Sequence, residues 1–256
     1  MAHCIAIANQ KGGVGKTTTA INVAAYLAKM GKSTLLIDLD PQGNSSSGLG
    51  INKAELQHSI YNVLHGSVLA QNCIVETEYK NLAILPANSH LAAAEIELAR
   101  RQSREFVLKT ILQGLDYDYI IIDCPPSLGL LTINGLVAAN YLLIPAQAEY
   151  YALEGLGQLL NTVKRVRAAL NPSLKLLGVV VTMHDGRTSL SSAVMSELNK
   201  HFGKLLFDTT VPRNIRLAEA PSHGKPIYAY DRFCRGAFAY KKLTKEITRR
   251  VEQPSK

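Results

Sequence analysis

Residues 9–19 read Asn-Gln-Lys-Gly-Gly-Val-Gly-Lys-Thr-Thr-Thr, and no other stretch restricts the fold so tightly. They match the G-K-[ST] end of the phosphate-cradling pattern G-x-x-x-x-G-K-[ST], with Gln10 where the pattern has its first glycine and a lysine, Lys11, ahead of the first glycine pair. Gly12, Gly13 and Gly15, with Val14 between them, let the backbone come close to an anion, so that several N–H groups can point at it. In such a loop Lys16 reaches the β- and γ-phosphates and the Thr17 hydroxyl ligates Mg²⁺. Thr18 follows in the first turn of a helix whose positive end faces the same anion. The flanks supply the required context. His3–Ala8 is a strand-like apolar run, and Ala20–Ala28 is an Ala-rich helical pattern ending near Gly31. ATP or ADP with Mg²⁺ is therefore the expected ligand.

Apolar runs alternate with amphipathic stretches along all 256 residues. Strands are expected at 3–8, 33–39, 82–86, 119–124, 141–146, 174–182 and 207–211, and helices at 16–30, 90–115, 129–139, 153–170, 190–202 and 236–251. Runs such as Ile120-Ile121-Ile122 and Val179-Val180-Val181 lack polar alternation, as strands do when helices cover both faces of a parallel sheet. The expectation is an α/β, doubly wound, mostly parallel sheet with ligands at the carboxyl ends of its strands. With no repeat or linker in view, residues 1–256 read as a single P-loop ATPase domain.

The four cysteines are scattered without C-x-x-C spacing, which argues against a zinc site or a disulfide framework. Residues 125–148 carry no charge and could span a bilayer by length, but Pro, Gly and Asn interrupt them, so a buried helix–strand unit is expected. The first strand is expected to start at His3, leaving no room for a signal peptide, and with scattered thiols a cytoplasmic protein is expected. Charge is uneven. Residues 1–186 hold 14 basic and 14 acidic side chains, whereas residues 187–256 hold 14 and 6, so the whole surplus of +8 lies in the last stretch. Such asymmetry suits a polyanion-facing surface, and equally a solvated basic face.

Two further strands end in acids. Ile37-Asp38-Leu39-Asp40 places both carboxylates on one face near a turn. Asp40 is the candidate for holding the attacking water, with Asp38 nearer the metal. Ile122-Asp123-Cys124-Pro125-Pro126 ends another strand in an acid suited to Mg²⁺, directly or through water, and Cys124 reads as packing.

Together KGGVGKTTT at 11–19, IDLDPQGN at 37–44, DYIIIDCPPSLG at 118–129 and VPRNIRLAEAPSHGKPI at 211–227 resemble the ParA/Soj family of DNA-partitioning ATPases, a deviant Walker A group related to MinD. The resemblance runs to about Tyr240. It implies that Lys11 is the signature lysine reaching the partner's phosphates in an ATP-dependent homodimer, like an arginine finger. It also implies that Lys16 and Thr17 keep the ordinary loop roles, Asp40 positions water, and Asp123 is the Walker B acid. Met183, Pro212, Arg213 and Asn214 would border the adenine. Arg187 and Arg216, with Lys225, Arg235 and Lys242 behind them, would contact double-stranded DNA through phosphates and without sequence preference. A ParB-like centromere-binding protein would stimulate hydrolysis, giving a nucleoid-associated partition protein. The start at the first strand, without a helix-turn-helix extension, points to the short chromosomal form.

Rivals that share the loop fit less well. A MinD-like membrane ATPase needs a bulky apolar C-terminal helix, and the segment 246–254 has too few apolar groups. An iron–sulfur reductase needs paired cysteines, a tyrosine kinase of this group needs a tyrosine cluster, and nothing marks the small-molecule pocket of a metabolic ligase.

Overall fold

The computed structural model describes residues 2–149 and 152–252. Seven strands form one sheet: β1 (His3–Ile7), β2 (Thr34–Asp38), β3 (Val75–Glu76), β4 (Leu82–Leu85), β5 (Tyr119–Asp123), β6 (Tyr141–Gln147) and β7 (Lys175–Thr182). Their order is β3-β4-β2-β5-β1-β6-β7, parallel throughout except that β3 runs against β4. The mostly parallel, doubly wound expectation holds, and helices cover both faces.

Eleven α-helices occur among the described residues. The first five are α1 (Lys16–Lys29), α2 (Asn44–Gly48), α3 (Ile60–His65), α4 (Leu91–Leu98) and α5 (Val107–Leu112). Six follow: α6 (Leu130–Ala138), α7 (Ala152–Ala169), α8 (Ser189–Phe202), α9 (Ile215–Glu219), α10 (Ile227–Tyr230) and α11 (Arg235–Glu252).

Strand residues face alternate sides of the sheet, so β2 and β5 each feed two cores. Leu35, Ile37, Ile120 and Ile122 pack on one side, and Leu36, Tyr119 and Ile121 on the other. Each such side chain contributes about 1.5–3 kcal/mol on leaving water, which explains why the continuous apolar runs sit at the centre. The uncharged segment 125–148 divides into α6 and β6, and no helix among the described residues is long and apolar enough to cross a membrane.

Two sequence expectations fail. Residues 207–211 are not a strand. Phe207 and Val211 still donate to the carbonyls of Val179 and Val181 at 2.9 and 2.8 Å. Between them, Asp208 N and Thr209 N donate to the Glu246 carboxylate, both at 3.1 Å, so a side chain from α11 takes the place of a strand partner. The expected helix over 90–115 is broken. Arg104 Nη1 donates to Ala99 O at 2.6 Å just after α4, and Ser103 adopts φ 52° before a short 3-10 turn leads into α5. Helices α2, α3, α9 and α10 and the two-residue β3 are too short for hydrophobic periodicity to register in the sequence.

One backbone approach fixes the surface beside the site. A methyl group on Gly224 (φ 64°) would lie 2.6 Å from Gly50 Cα, so the turn after α2 and the turn before α10 press together without side chains. Gly224→Ala combines overpacking with left-handed strain and should lower unfolding stability by about 1–3 kcal/mol. An unchanged denaturation midpoint would show that the two turns part easily.

Candidate functional site

The loop after β1 is held from beneath. Asn9 Nδ2 donates to Pro145 O at 2.7 Å, and Asn9 Oδ1 accepts from Lys11 N at 3.0 Å. Thr182 Oγ1, at the end of β7, donates to Val14 O at 2.8 Å. The loop is thereby tied to the ends of two neighbouring strands. Gly13 and Gly15 take φ values of 73° and 84°, where other residues would be strained. Above Gly12 and Gly13 a methyl group would meet nothing within 4 Å, so the outer side of the loop is open to a ligand. Gly15 caps α1, and Thr17 and Thr18 lie in its first turn.

Lys16 is buried and donates through Nζ to Lys11 O at 3.1 Å. Burial lowers its pKa, and the carboxylates of Asp123 and Asp40 pull it back up. A buried cation within electrostatic reach of two acids, at the end of a glycine loop, is suited to a phosphate chain with its metal. Lys11 is half-buried and forms an ion pair with Glu149.

The carboxylates meet because the ends of β2 and β5 are in register, with Asp38 opposite Asp123. Both are fully buried. Burial, then Asp38 beside it, pushes Asp123 up to about 7, against the lowering effect of the Ser45 and Thr17 hydroxyls. Burial pushes Asp38 up to about 6, against hydrogen bonds from Ser46 and from Asp40 N. Asp38 Oδ2 accepts from Ser46 N at 2.8 Å and Ser46 Oγ at 2.7 Å, and Asp38 Oδ1 accepts from Asp40 N at 3.2 Å. Asp38 is therefore surrounded by protein donors. Asp123 Oδ2 accepts from Ser45 Oγ at 2.8 Å, but Asp123 Oδ1 is buried with no well-formed hydrogen bond. An orphaned buried carboxylate oxygen beside Thr17 and Lys16 fits a Mg²⁺ ion or its bound water. Asp40 is buried at the start of the next turn, its Oδ1 accepting from Gln42 N at 2.9 Å.

On the other side of the loop lies a cavity of about 400 Å³, lined by Gly15, Thr18, Met183, Pro212, Asn214 and Tyr240. The Met183 and Pro212 segments are joined by a bridge between His184 and Pro212. Arg213 also lines the cavity, although it is exposed. Asn214 Oδ1 caps α9 by accepting from Arg216 N at 2.9 Å, so the amide nitrogen is the end left for a base. The cavity is mostly apolar with a few polar groups, as small-ligand sites are.

The candidate DNA residues all lie outside this cleft. Arg187, with a side chain 89% exposed, is gripped by Asp185 through Nε–Oδ1 at 2.9 Å and Nη2–Oδ2 at 2.7 Å. Arg216 pairs with Glu219 at 2.9 Å and approaches Asp231 at 3.6 Å. His184 N donates to Val211 O at 3.0 Å, which sets the Arg187 turn beside the segment leading to Arg216. Lys225 is exposed just before α10, while Arg235 and Lys242 lie two turns apart on α11.

Sequence reasoning missed Asn9, Thr182, Glu149, Ser45 and Ser46. Their partners are 136, 168, 138, 78 and 8 residues away, and only the last pair lies within reach of a local pattern.

A family model for an AAA domain matches residues 2–176. The chain is similar to the sporulation initiation inhibitor protein Soj of Bacillus subtilis, with 54% identity over 249 residues covering 96% of this chain and 98% of that protein. It is also similar to the chromosome partitioning protein ParA of Caulobacter vibrioides, with 48% identity over 250 residues covering 96% and 94%. Among solved structures, cobyrinic acid a,c-diamide synthase from Mycobacterium smegmatis with bound ADP and magnesium superposes with a TM-score of 0.88 and 39% identity, over 100% of this chain and 98% of that one.

Proposed function

Because the chain belongs to the Soj/ParA family of chromosome-partitioning ATPases, we propose that it hydrolyses ATP to ADP and phosphate and uses the ATP-bound state to hold DNA. The observation that carries the reading is Lys16, buried beside Asp40 and Asp123 at the end of the phosphate loop. Gly12 to Thr18 cradle the phosphates, and Met183, Pro212, Arg213 and Asn214 flank the base. Thr17 and Asp123 would hold Mg²⁺, whereas Asp38, whose two oxygens accept from Ser46 and from Asp40 N, braces the Asp40 turn rather than the ion. The ion neutralises charge on the phosphate oxygens when bound. Asp40 orients water towards the γ-phosphate, and Lys16 stabilises the charge that spreads there.

Lys11 leaves Glu149 and reaches the phosphates of a second copy, so that nucleotide and dimer form together. Arg187 and Arg216, doubled by the dimer, then contact DNA phosphates, with Lys225, Arg235 and Lys242 adding charge. A ParB-like protein stimulates hydrolysis and releases the dimer, so the ATP-bound form resides on the nucleoid in the cytoplasm until it is released.

The M. smegmatis match favours a second reading, a small-molecule synthase. Duplex DNA titrated with ATP, ADP or no nucleotide separates the two. Retention that requires ATP supports partition, and equal binding in all three states overturns it. Within the first reading, Arg187→Glu should weaken DNA binding about tenfold and flatten its salt dependence. Asp185→Asn, which frees Arg187 from its carboxylate, should strengthen binding. If neither variant moves DNA affinity, this face is merely solvated.

A further inference from the structure

Two adjacent serines open α2, and neither does what serines at a helix start ordinarily do. Gly43 is the N-cap and no side chain caps the α2 backbone. Both hydroxyls are fully buried and donate instead to the acids that end two strands. Ser45 Oγ reaches Asp123 Oδ2 at 2.8 Å, and Ser46 Oγ reaches Asp38 Oδ2 at 2.7 Å while accepting from Ala87 N at 3.0 Å. Asp123 keeps Oδ1 buried and orphaned. One oxygen of the carboxylate is thus fixed, and the other is left without a well-placed protein donor.

The same contact has a second consequence. The turn from Asp40 to Asn44 is anchored at its start by Asp40 N on Asp38 Oδ1, at 3.2 Å, and at its end by the serine pair. The Ser45 hydrogen bond is therefore a direct side-chain link between the acid suited to the metal and the turn that carries Asp40.

We infer that Ser45 is a positioning residue for the metal site: it fixes the rotamer of Asp123, so that Oδ1 faces Mg²⁺, and it registers the Asp40 turn against that ion. The inference rests on the Mg²⁺–ATP reading given above. A hydroxyl in this place acts as outer partners of metal ligands do, orienting the ligand and favouring its ionised form. Removing such a partner typically costs about 10- to 100-fold in metal affinity.

The test is a Mg²⁺ titration of fluorescent ATP-analogue binding to the full chain, together with binding in EDTA. Ser45→Ala should raise the Mg²⁺ concentration for half-maximal effect about 10- to 100-fold, while metal-free affinity stays within about twofold. Ser47→Ala is the control, because the Ser47 hydroxyl meets only Gly43 O, at 3.2 Å, and its Mg²⁺ dependence should match the wild type. If Ser45→Ala melts early, Ser45→Cys keeps nearly the same size with a much weaker donor and should show the same shift. In an Asp123→Asn background, Ser45→Ala should add nothing to the defect. An unchanged Mg²⁺ dependence, or an equal loss with and without metal, overturns the role of Ser45. A wild-type chain that binds no Mg²⁺–ATP overturns the underlying reading instead.

Discussion

Lys16→Ala is expected to abolish ATP binding at working concentrations, raising Kd about 10²- to 10³-fold, or about 3–4 kcal/mol. The size follows from where the ammonium sits. It is buried at the loop mouth, so its hydrogen bonds to phosphate form in a medium that screens them poorly. Its loss also removes the cation that faces Asp40 and Asp123, leaving the arriving phosphates beside uncompensated negative charge. The fold should survive. Burial lowers the Lys16 pKa against the pull of both acids, which means that the charge is held at a cost while no anion is present. The ligand-free variant loses that cost together with the attraction to both acids, so its melting temperature should stay close to the wild type and loss of binding is separable from loss of structure. Calorimetric titration with ATP and a thermal melt on one preparation measure both. Wild-type affinity in the variant would remove the phosphate-loop assignment.

The parts of this site that are legible in the sequence are those set by chain-local rules. The loop needs glycines at Gly13 and Gly15 because their backbones are left-handed. The acids end their strands because β2 and β5 are buried along their whole length up to Asp38 and Asp123. What escaped the sequence depends on partners distant in the chain. Glu246 captures two N–H groups that residues 207–211 would otherwise offer as a strand, and nothing near Phe207 signals it. Arg104 and the left-handed Ser103 stop a helical pattern that composition alone would continue. The serines after Asn44 look like ordinary turn residues until β5 is placed beside β2, and only then does Ser45 meet Asp123. The family resemblance points to Arg187 and Arg216, but not to the carboxylates that grip them. Asp185 and Glu219 damp the local charge of the basic surface in a way that net charge conceals.

Asp40→Ala should leave ATP binding nearly intact, within about threefold, and reduce turnover about 10²- to 10⁴-fold. The backbone around Asp40 does not depend on its side chain. Asp40 N donates to Asp38 Oδ1 at 3.2 Å and Gly43 N donates to Asp40 O at 2.8 Å, and both bonds survive truncation. The bond lost is Gln42 N to Asp40 Oδ1, at 2.9 Å, which lies within the turn. A second substitution separates that local bond from the charge. Asp40→Asn retains an acceptor for Gln42 N but cannot draw a proton from water, so it should be as inactive as the alanine variant if the carboxylate does the chemistry. If the asparagine variant instead restored turnover, holding the turn would be the whole contribution of this residue, and the nucleophile would have to be oriented by another group. Either variant, stalled with ATP bound, should stay on DNA longer than the wild type, because release in the proposed cycle follows hydrolysis. Single-turnover assays give the chemical step and DNA dissociation kinetics give the stall. A variant with normal DNA release but no turnover would uncouple the two halves of the cycle.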